Sequence, residues 1–67
     1  MSVYKIVEIV GTSAKSWEDA AQKALATAGK SLSKLRVAEV TKQDITVDKG
    51  KVMSYRIRLN LSFKLKD

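Results

Sequence analysis

The sequence predicts an α+β domain whose elements follow the order β-α-β-β. The strongest observation is the last third of the chain, where every second residue from position 53 to 65 is apolar and the residues between are polar. A period of two is typical of a strand with one buried face. A central stretch repeats its apolar residues every three or four positions, which indicates a helix. A β-branched run at positions 3–10 predicts the first strand.

The final strand is too long for a compact domain of this size. Residues 53–66 would span about 46 Å at roughly 3.3 Å per residue, whereas a compact domain of 67 residues has a diameter of roughly 28 Å. The strand must therefore curl around the helix or project into neighbouring subunits. Its polar face is basic, because it carries Arg56, Arg58, Lys64 and Lys66.

The central apolar repeat defines the predicted helix. Ser16 is the expected N-cap, with Asp19 three residues on as a capping-box-like partner, although Ser13 is a competing start. Gly29 is either the helix terminator or a weak point in its last turn, and the helix is predicted to run on to about Leu32. Its apolar face is mostly alanine and consists of Trp17, Ala20, Ala21, Ala24, Leu25, Ala28 and Leu32.

Turn signals separate the predicted strands. Residues 11–13, Gly-Thr-Ser, predict a turn after the first strand. A second strand is predicted over residues 35–49, and its polar interruption at 41–44 indicates a bulge or bend. Residues 48–51, Asp-Lys-Gly-Lys, predict a hairpin turn in which Gly50 takes a positive φ angle.

Composition excludes most compact catalytic chemistries. The chain, read as one domain over residues 1–67, has no cysteine and no histidine, which removes disulfides, thiol and histidine catalysis and classical zinc sites. A non-enzymatic protein is therefore expected. A core of this size supplies about 3–5 kcal/mol, so oligomerisation is the stabilising device that remains. Lys5 and Glu8 interrupt the N-terminal apolar run, which argues against a secretory signal or membrane span and favours a cytoplasmic location.

The net charge of +6 raises the question of nucleic acid, since clustered cations neutralise phosphates. However, Trp17, Tyr55 and Phe63 fall on predicted core faces, so the basic strand face has no platform on which bases would stack. A solvated or anion-binding face is favoured instead. A basic nucleic-acid-associated protein is kept as the third hypothesis of function.

Several segments, in their order and spacing, match one known family. They are Val3-Tyr4-Lys5 through Val10-Gly11-Thr12-Ser13, Trp17 in the first helical turn, Ala38-Glu39-Val40, and Tyr55-Arg56-Ile57 through Ser62-Phe63-Lys64-Leu65. Together they resemble the dodecins over essentially the whole chain. The resemblance implies a subunit whose three-stranded curved antiparallel sheet wraps one helix, and a homododecamer that forms a hollow shell. That assembly agrees with the overlong strand.

The resemblance also implies storage of a small-molecule ligand, flavin, rather than catalysis. In flavin-binding dodecins, paired isoalloxazine rings lie between symmetry-related tryptophans and are hydrogen-bonded by a glutamine. Here the matching ligand-binding positions hold Val37, with Arg36 beside it, and Arg56. Losing aromatic stacking of about 0.5–1.5 kcal/mol predicts weakened binding of riboflavin, FMN or FAD.

The charged residues suggest an alternative set of ligands. The guanidinium of Arg56 suits a phosphate-bearing anionic metabolite, unless an Arg–acid pair to Glu39 or Asp44 closes the site. Glu39, Asp44 and Asp48 are candidate oxygen ligands for calcium or magnesium if symmetry gathers several copies at an axis. The alternative function is therefore a dodecin shell that lacks flavin and binds metal ions or anionic metabolites.

Overall fold

The computed structural model describes residues 2–28 and 34–66. The sheet within these residues is antiparallel, and its spatial order β1-β3-β2 places β3 in the centre. The predicted α+β class and β-α-β-β order are confirmed. The elements are β1 (Val3–Ser13), α1 (Trp17–Ala28), β2 (Leu35–Asp48) and β3 (Lys51–Lys66).

The hydrophobic core lies between α1 and the strands β1 and β3. Alanines on the buried side of α1 bring the helix axis close to the sheet, so leucine and phenylalanine side chains of β3 fill the space beneath it. Val7, Ile9, Trp17 and Leu25 pack around this centre and are partly buried. The buried core residues are Ala20, Ala24, Ile57, Leu59, Leu61 and Phe63.

The turn predicted at residues 11–13 is wrong, because β1 continues through them to Ser13. Gly11 pairs with Ile57 of β3, and Ser13 pairs with Tyr55. The glycine serves a close approach of the helix rather than a turn. A Cβ atom at Gly11 would lie 2.9 Å from the Cβ of Ala24, which is closer than two carbon atoms pack.

Burial along β3 follows the predicted alternation only beneath the helix. Leu59 and Phe63 are 2% and 8% exposed, whereas Met53 and Leu65 are both 56% exposed. A helix of 12 residues is about 18 Å long, while the structure extends 51 Å along its longest axis. The helix therefore covers the middle of β3, and both ends project. This confirms that β3 is longer than the hydrophobic core that the helix covers.

The edge strand β2 carries apolar side chains that the helix does not cover. The helix packs mainly against β1 and β3, so most side chains of β2 lie beyond its cover. Val37, Val40, Ile45 and Val47 of β2 are 41–58% exposed. The predicted bulge is confirmed by a register shift between Val40 and Lys42. Apolar edge strands of this kind are normally covered by another chain.

The start of α1 is capped as predicted. The backbone N–H of Asp19 donates to the Oγ of Ser16 at 3.0 Å, which identifies Ser16 as the N-cap. The predicted helix end at Leu32, with Gly29 before it, lies outside the described residues. Among those residues, no helix is long and apolar enough to cross a bilayer.

The hairpin between β2 and β3 predicts one stabilising substitution. Both central residues have positive φ angles, 50° at Lys49 and 76° at Gly50. The glycine was expected there, but a lysine in this region costs about 1–2 kcal/mol. Lys49→Asn is expected to raise the free energy of unfolding by about 0.5–1 kcal/mol, because asparagine tolerates this conformation. Urea denaturation at fixed protein concentration measures this, and Lys51→Asn in β3 should bring no gain.

Candidate functional site on the helix-free face

The side of the sheet opposite the helix carries most of the candidate residues. Odd-numbered residues of β3 point to the helix, so the even-numbered ones and their cross-strand partners point away. We call this surface the helix-free face. Its four rows, each ordered β1, β3, β2, are Ile6–Ser62–Val37, Glu8–Asn60–Glu39, Val10–Arg58–Lys42 and Thr12–Arg56–Asp44.

Arg56 is held by Asp44 in a two-point ion pair. Its Nε donates to Oδ1 of Asp44 at 2.7 Å and its Nη2 donates to Oδ2 at 2.8 Å. These hydrogen bonds, together with the charges of Arg56, Arg58 and Lys42, lower the pKa of Asp44. The same pair raises the pKa of Arg56. Of the two acids considered as partners for Arg56, Asp44 is the one that pairs with it.

Val37 and Arg56 share the helix-free face but lie far apart in one subunit. Val37 is opposite Ser62, which is six residues from Arg56 along β3, or about 20 Å. The Nη1 of Arg36 donates to the carbonyl oxygen of Leu35 at 3.4 Å, at the start of β2. Arg36, Val37 and Arg56 therefore do not form one site within a single chain. A ligand that touched both Val37 and Arg56 positions would do so between subunits.

The three acids proposed as metal ligands are likewise separate within one chain. Glu39 is opposite Asn60, Asp44 is paired with Arg56, and Asp48 is at the hairpin. Their partners on β3 lie four and five residues apart, or about 13 and 17 Å. In the part of the chain that the structure describes, no three acidic residues are grouped closely enough for a metal ion. A cation site would need several subunits.

Sequence reasoning missed two features of this face. Glu8 lies opposite Asn60 from the other side, so Glu8 and Glu39 flank one asparagine. Beside this row is a cavity of about 70 Å³. The period of two along β1 and β3 would have placed Glu8 on this face. The cavity forms because the bulge in β2 shifts the strand register and so places Lys42 and Asp44 beside Arg58 and Arg56. The sequence pattern does not predict that register. The lining residues of the cavity are Val10, Lys42, Asp44, Arg56, Ile57 and Arg58.

Trp17 serves packing rather than ligand binding. Its ring meets Tyr55 edge to face with centroids 5.1 Å apart, and its Nε1 donates to the carbonyl oxygen of Asp44 at 3.1 Å. The side chain is partly buried against the core. This bears out its predicted place on the core face of the helix. Trp17 also ties the helix to the segment of β2 that presents Asp44.

A second polar network joins β1 to the helix. The Oγ of Ser13, which is 5% exposed, donates to Oδ2 of Asp19 at 2.5 Å and accepts from the N–H of Lys15 at 2.9 Å. Lys23 pairs with the same carboxylate at 3.1 Å. The hydrogen bond from Ser13 and then that from Lys23 lower the pKa of Asp19 below its ordinary value of 3.8. The carboxylate of Asp19, which was expected to complete a capping box, therefore binds Ser13.

These two carboxylates predict a loss of stability in acid. Because the pKa values of Asp19 and Asp44 are lowered by folding from 3.8, their contribution is complete above that pH and is lost as the pH falls through the folded-state values. Asp19→Asn should therefore lose less stability than the wild type between pH 5 and strong acid. Chemical denaturation at several pH values tests this. Equal pH dependence of the two proteins would contradict it.

A β-α-β-β chain with an open three-stranded sheet and exposed apolar strand residues defines a class of small α+β proteins. Comparison with known proteins gives the family. A family model described as Dodecin matches residues 3–66. Calcium dodecin of Mycobacterium tuberculosis is 48% identical over 66 residues, spanning 98% of this chain and 93% of the relative. Dodecin of Thermus thermophilus is 42% identical over 65 residues, spanning 97% and 94%.

Solved structures agree with the sequence relatives. A variant of Thermus thermophilus dodecin superimposes with a TM-score of 0.86 at 40% identity, over the whole of both chains. The crystal structure of the Mycobacterium tuberculosis calcium dodecin, described as having a novel calcium-binding site, gives a TM-score of 0.80 at 50% identity and covers 97% of this chain and 93% of that one. The chain belongs to the dodecin family.

Proposed function

We propose that this chain is a non-enzymatic binding and storage protein that assembles as a homododecamer and takes a divalent cation, calcium foremost, as its ligand. The single observation that carries the choice of calcium ahead of flavin is the two-point ion pair between Arg56 and Asp44, because it argues against a flavin at this position. Arg56 is at the position where flavin-binding dodecins have their glutamine, and the ion pair leaves its guanidinium already bound to Asp44. Flavin, the ligand of those dodecins, is the second candidate.

Self-assembly is supported by the apolar surface of the isolated subunit. Large apolar side chains are exposed on the helix-free face, along β2 and at both ends of β3, while the buried core is small. Packing these against further copies would supply burial that one subunit lacks. The exposed residues are Val3, Tyr4, Ile6, Val10, Val37, Val40, Ile45, Val47, Val52, Met53 and Leu65.

Two features argue for a weak flavin site. Val37 offers a branched aliphatic side chain in place of an aromatic ring, so stacking is lost. Releasing Arg56 for a ligand would break two hydrogen bonds to Asp44, a solvent-exposed ion pair whose loss is a small but unfavourable contribution. A flavin would therefore have to displace a satisfied ion pair and gain no stacking in return.

Calcium is supported by the row that contains Glu8, Asn60 and Glu39. Both glutamates are exposed on the helix-free face, and the asparagine between them adds an amide oxygen. Carboxylate and amide oxygens are the ligands that calcium takes, six to eight at a time. One row provides too few, so copies from neighbouring subunits would complete the set. The relative that is 48% identical is called calcium dodecin.

Calorimetric titration of the metal-free protein with calcium tests this assignment. Glu39→Gln is expected to weaken calcium binding at least tenfold, or about 1.4 kcal/mol. The matched control is Glu18→Gln, which removes the same charge from an exposed position in the first turn of α1. Equal affinity in all three proteins, or equal losses in both variants, would contradict a site at Glu39.

The second candidate makes its own prediction. Val37→Trp combined with Arg56→Gln is expected to raise riboflavin affinity more than tenfold, about 1.4 kcal/mol, because stacking and an amide contact are restored. Quenching of flavin fluorescence measures it. The control is Val40→Trp with Arg56→Gln, since Val40 pairs with Leu59 and so points to the other side of the sheet. Equal riboflavin affinity in the two double variants would contradict the assignment of position 37 to the flavin site.

A further inference from the structure

Two cations face each other across adjacent strands on the helix-free face. Lys42 of β2 is the direct cross-strand partner of Arg58 of β3. Like charges in this position destabilise a sheet. The ion pairs formed within residues 2–28 and 34–66 are Lys23 with Asp19 and Arg56 with Asp44, so neither Lys42 nor Arg58 has a carboxylate of its own.

The nearest acid is already engaged. Asp44 is close enough that the charges of Arg58 and Lys42 contribute to its lowered pKa, but both of its oxygens accept hydrogen bonds from Arg56. Arg58 is half-buried, and its backbone carbonyl oxygen accepts a hydrogen bond from the Oγ1 of Thr41 at 3.2 Å. The strand that carries Arg58 is thus fixed at this point, and its side chain keeps an unneutralised charge.

These side chains line the cavity described above. Its volume of about 70 Å³ is several times the roughly 10–15 Å³ that one water molecule needs. The charged groups of its lining are three cations and one carboxylate, so the cavity is positive. Val10 lies across from Arg58 on β1 and lines one side of the cavity with an apolar surface.

We propose that Arg58 and Lys42 form a binding site for a phosphate group, separate from the position of Arg56. The planar guanidinium of Arg58 presents a pair of N–H donors that matches two oxygens of a phosphate, and the ammonium of Lys42 adds a point charge from the neighbouring strand. A bound dianion would remove the repulsion between the two cations. The site does not depend on whether the protein stores calcium or flavin.

Titration of the assembled protein with inorganic phosphate in a chloride buffer, followed by amide chemical shifts, tests the site. Arg58→Gln is expected to weaken phosphate binding at least tenfold and Lys42→Gln about threefold. Lys49→Gln is the matched control, because Lys49 is an exposed lysine in the hairpin and should leave the affinity unchanged. Lys42 is exposed, so its variant keeps the test valid if Arg58→Gln does not fold.

A second arm with a short single-stranded DNA distinguishes the source of the phosphate. Tight binding of inorganic phosphate that responds to Arg58 and Lys42, with weak binding of DNA, supports a site for a small phosphate compound. DNA binding that falls equally in the Lys42 and Lys49 variants would overturn the proposal in favour of diffuse attraction. Absence of phosphate binding, with Arg58→Gln dissociating the oligomer, would overturn it too, because a partner's carboxylate would then neutralise these cations.

Discussion

Replacing Leu59 with aspartate is expected to prevent the subunit from folding. Leu59 is 2% exposed and lies in the centre of the core beneath the helix. The change removes about 1.5–3 kcal/mol of apolar burial and adds a desolvation cost of several kcal/mol for an unpaired carboxylate. Together these exceed the roughly 3–5 kcal/mol that a core of this size supplies. Far-UV circular dichroism and Trp17 fluorescence would report an unfolded chain at neutral pH.

The matched control is Met53→Asp in the same strand. Met53 has the same parity as Leu59 but is 56% exposed in one subunit, so an aspartate there buries no charge in the subunit core, and the subunit should keep its secondary structure even where assembly is weakened. Native-like circular dichroism for Leu59→Asp, or equal damage in both variants, would show that the core lies elsewhere.

The apolar face of β3 serves the core of one subunit at some positions and is exposed at others. A charged residue at Leu59 or Phe63 would dissolve a shell of subunits directly if these side chains lay between subunits. The structure places both side chains in the core of one subunit, so assembly would be lost because the subunit itself unfolds. Residues that would bear on the proposed assembly alone are the exposed apolar ones, such as Met53 and Leu65.

Gly11→Val is expected to lower the free energy of unfolding by about 1–3 kcal/mol. Valine favours a strand, but its Cβ would lie 2.9 Å from the Cβ of Ala24 and would also meet the carbonyl oxygen of Ala20. The helix backbone would have to move, and overpacking of a close-packed contact carries this cost. Urea denaturation at one protein concentration measures the effect, since the stability of an oligomer depends on concentration.

Thr12→Val provides the control for this prediction. Thr12 is the neighbouring residue in β1, is exposed, and lies on the helix-free face, so the same β-branched side chain meets no helix there. Stability equal to the wild type is expected. If Gly11→Val were as stable as Thr12→Val, the close contact between β1 and the helix would be contradicted.

Local signals in the sequence predicted local structure well. The alternation of Ile57 to Phe63 predicted the central strand, and Ser16 was recognised as the helix cap because capping depends on residues three positions apart. Gly11 was misread, since a glycine marks either a turn or a close approach, and only the packing of Ala20 and Ala24 decides between them. The uncovered ends of β3 follow from the length of the helix beside it.

The candidate site depends on register, which the sequence left open. Asp44 was one of two acids expected to pair with Arg56, and the bulge after Val40 decides in favour of Asp44 by shifting the register of β2. The same shift places Lys42 opposite Arg58, a pairing that no local pattern indicates. The distance between Val37 and Arg56 also follows from register.

Native mass spectrometry of the metal-free protein, offered calcium and riboflavin together at equal concentration, tests the central claim most directly because it weighs the assembly and its ligands at once. The proposed function predicts a complex of twelve chains that carries calcium ions and no riboflavin. A monomer, or a twelve-chain complex that carries riboflavin and no calcium, would contradict it.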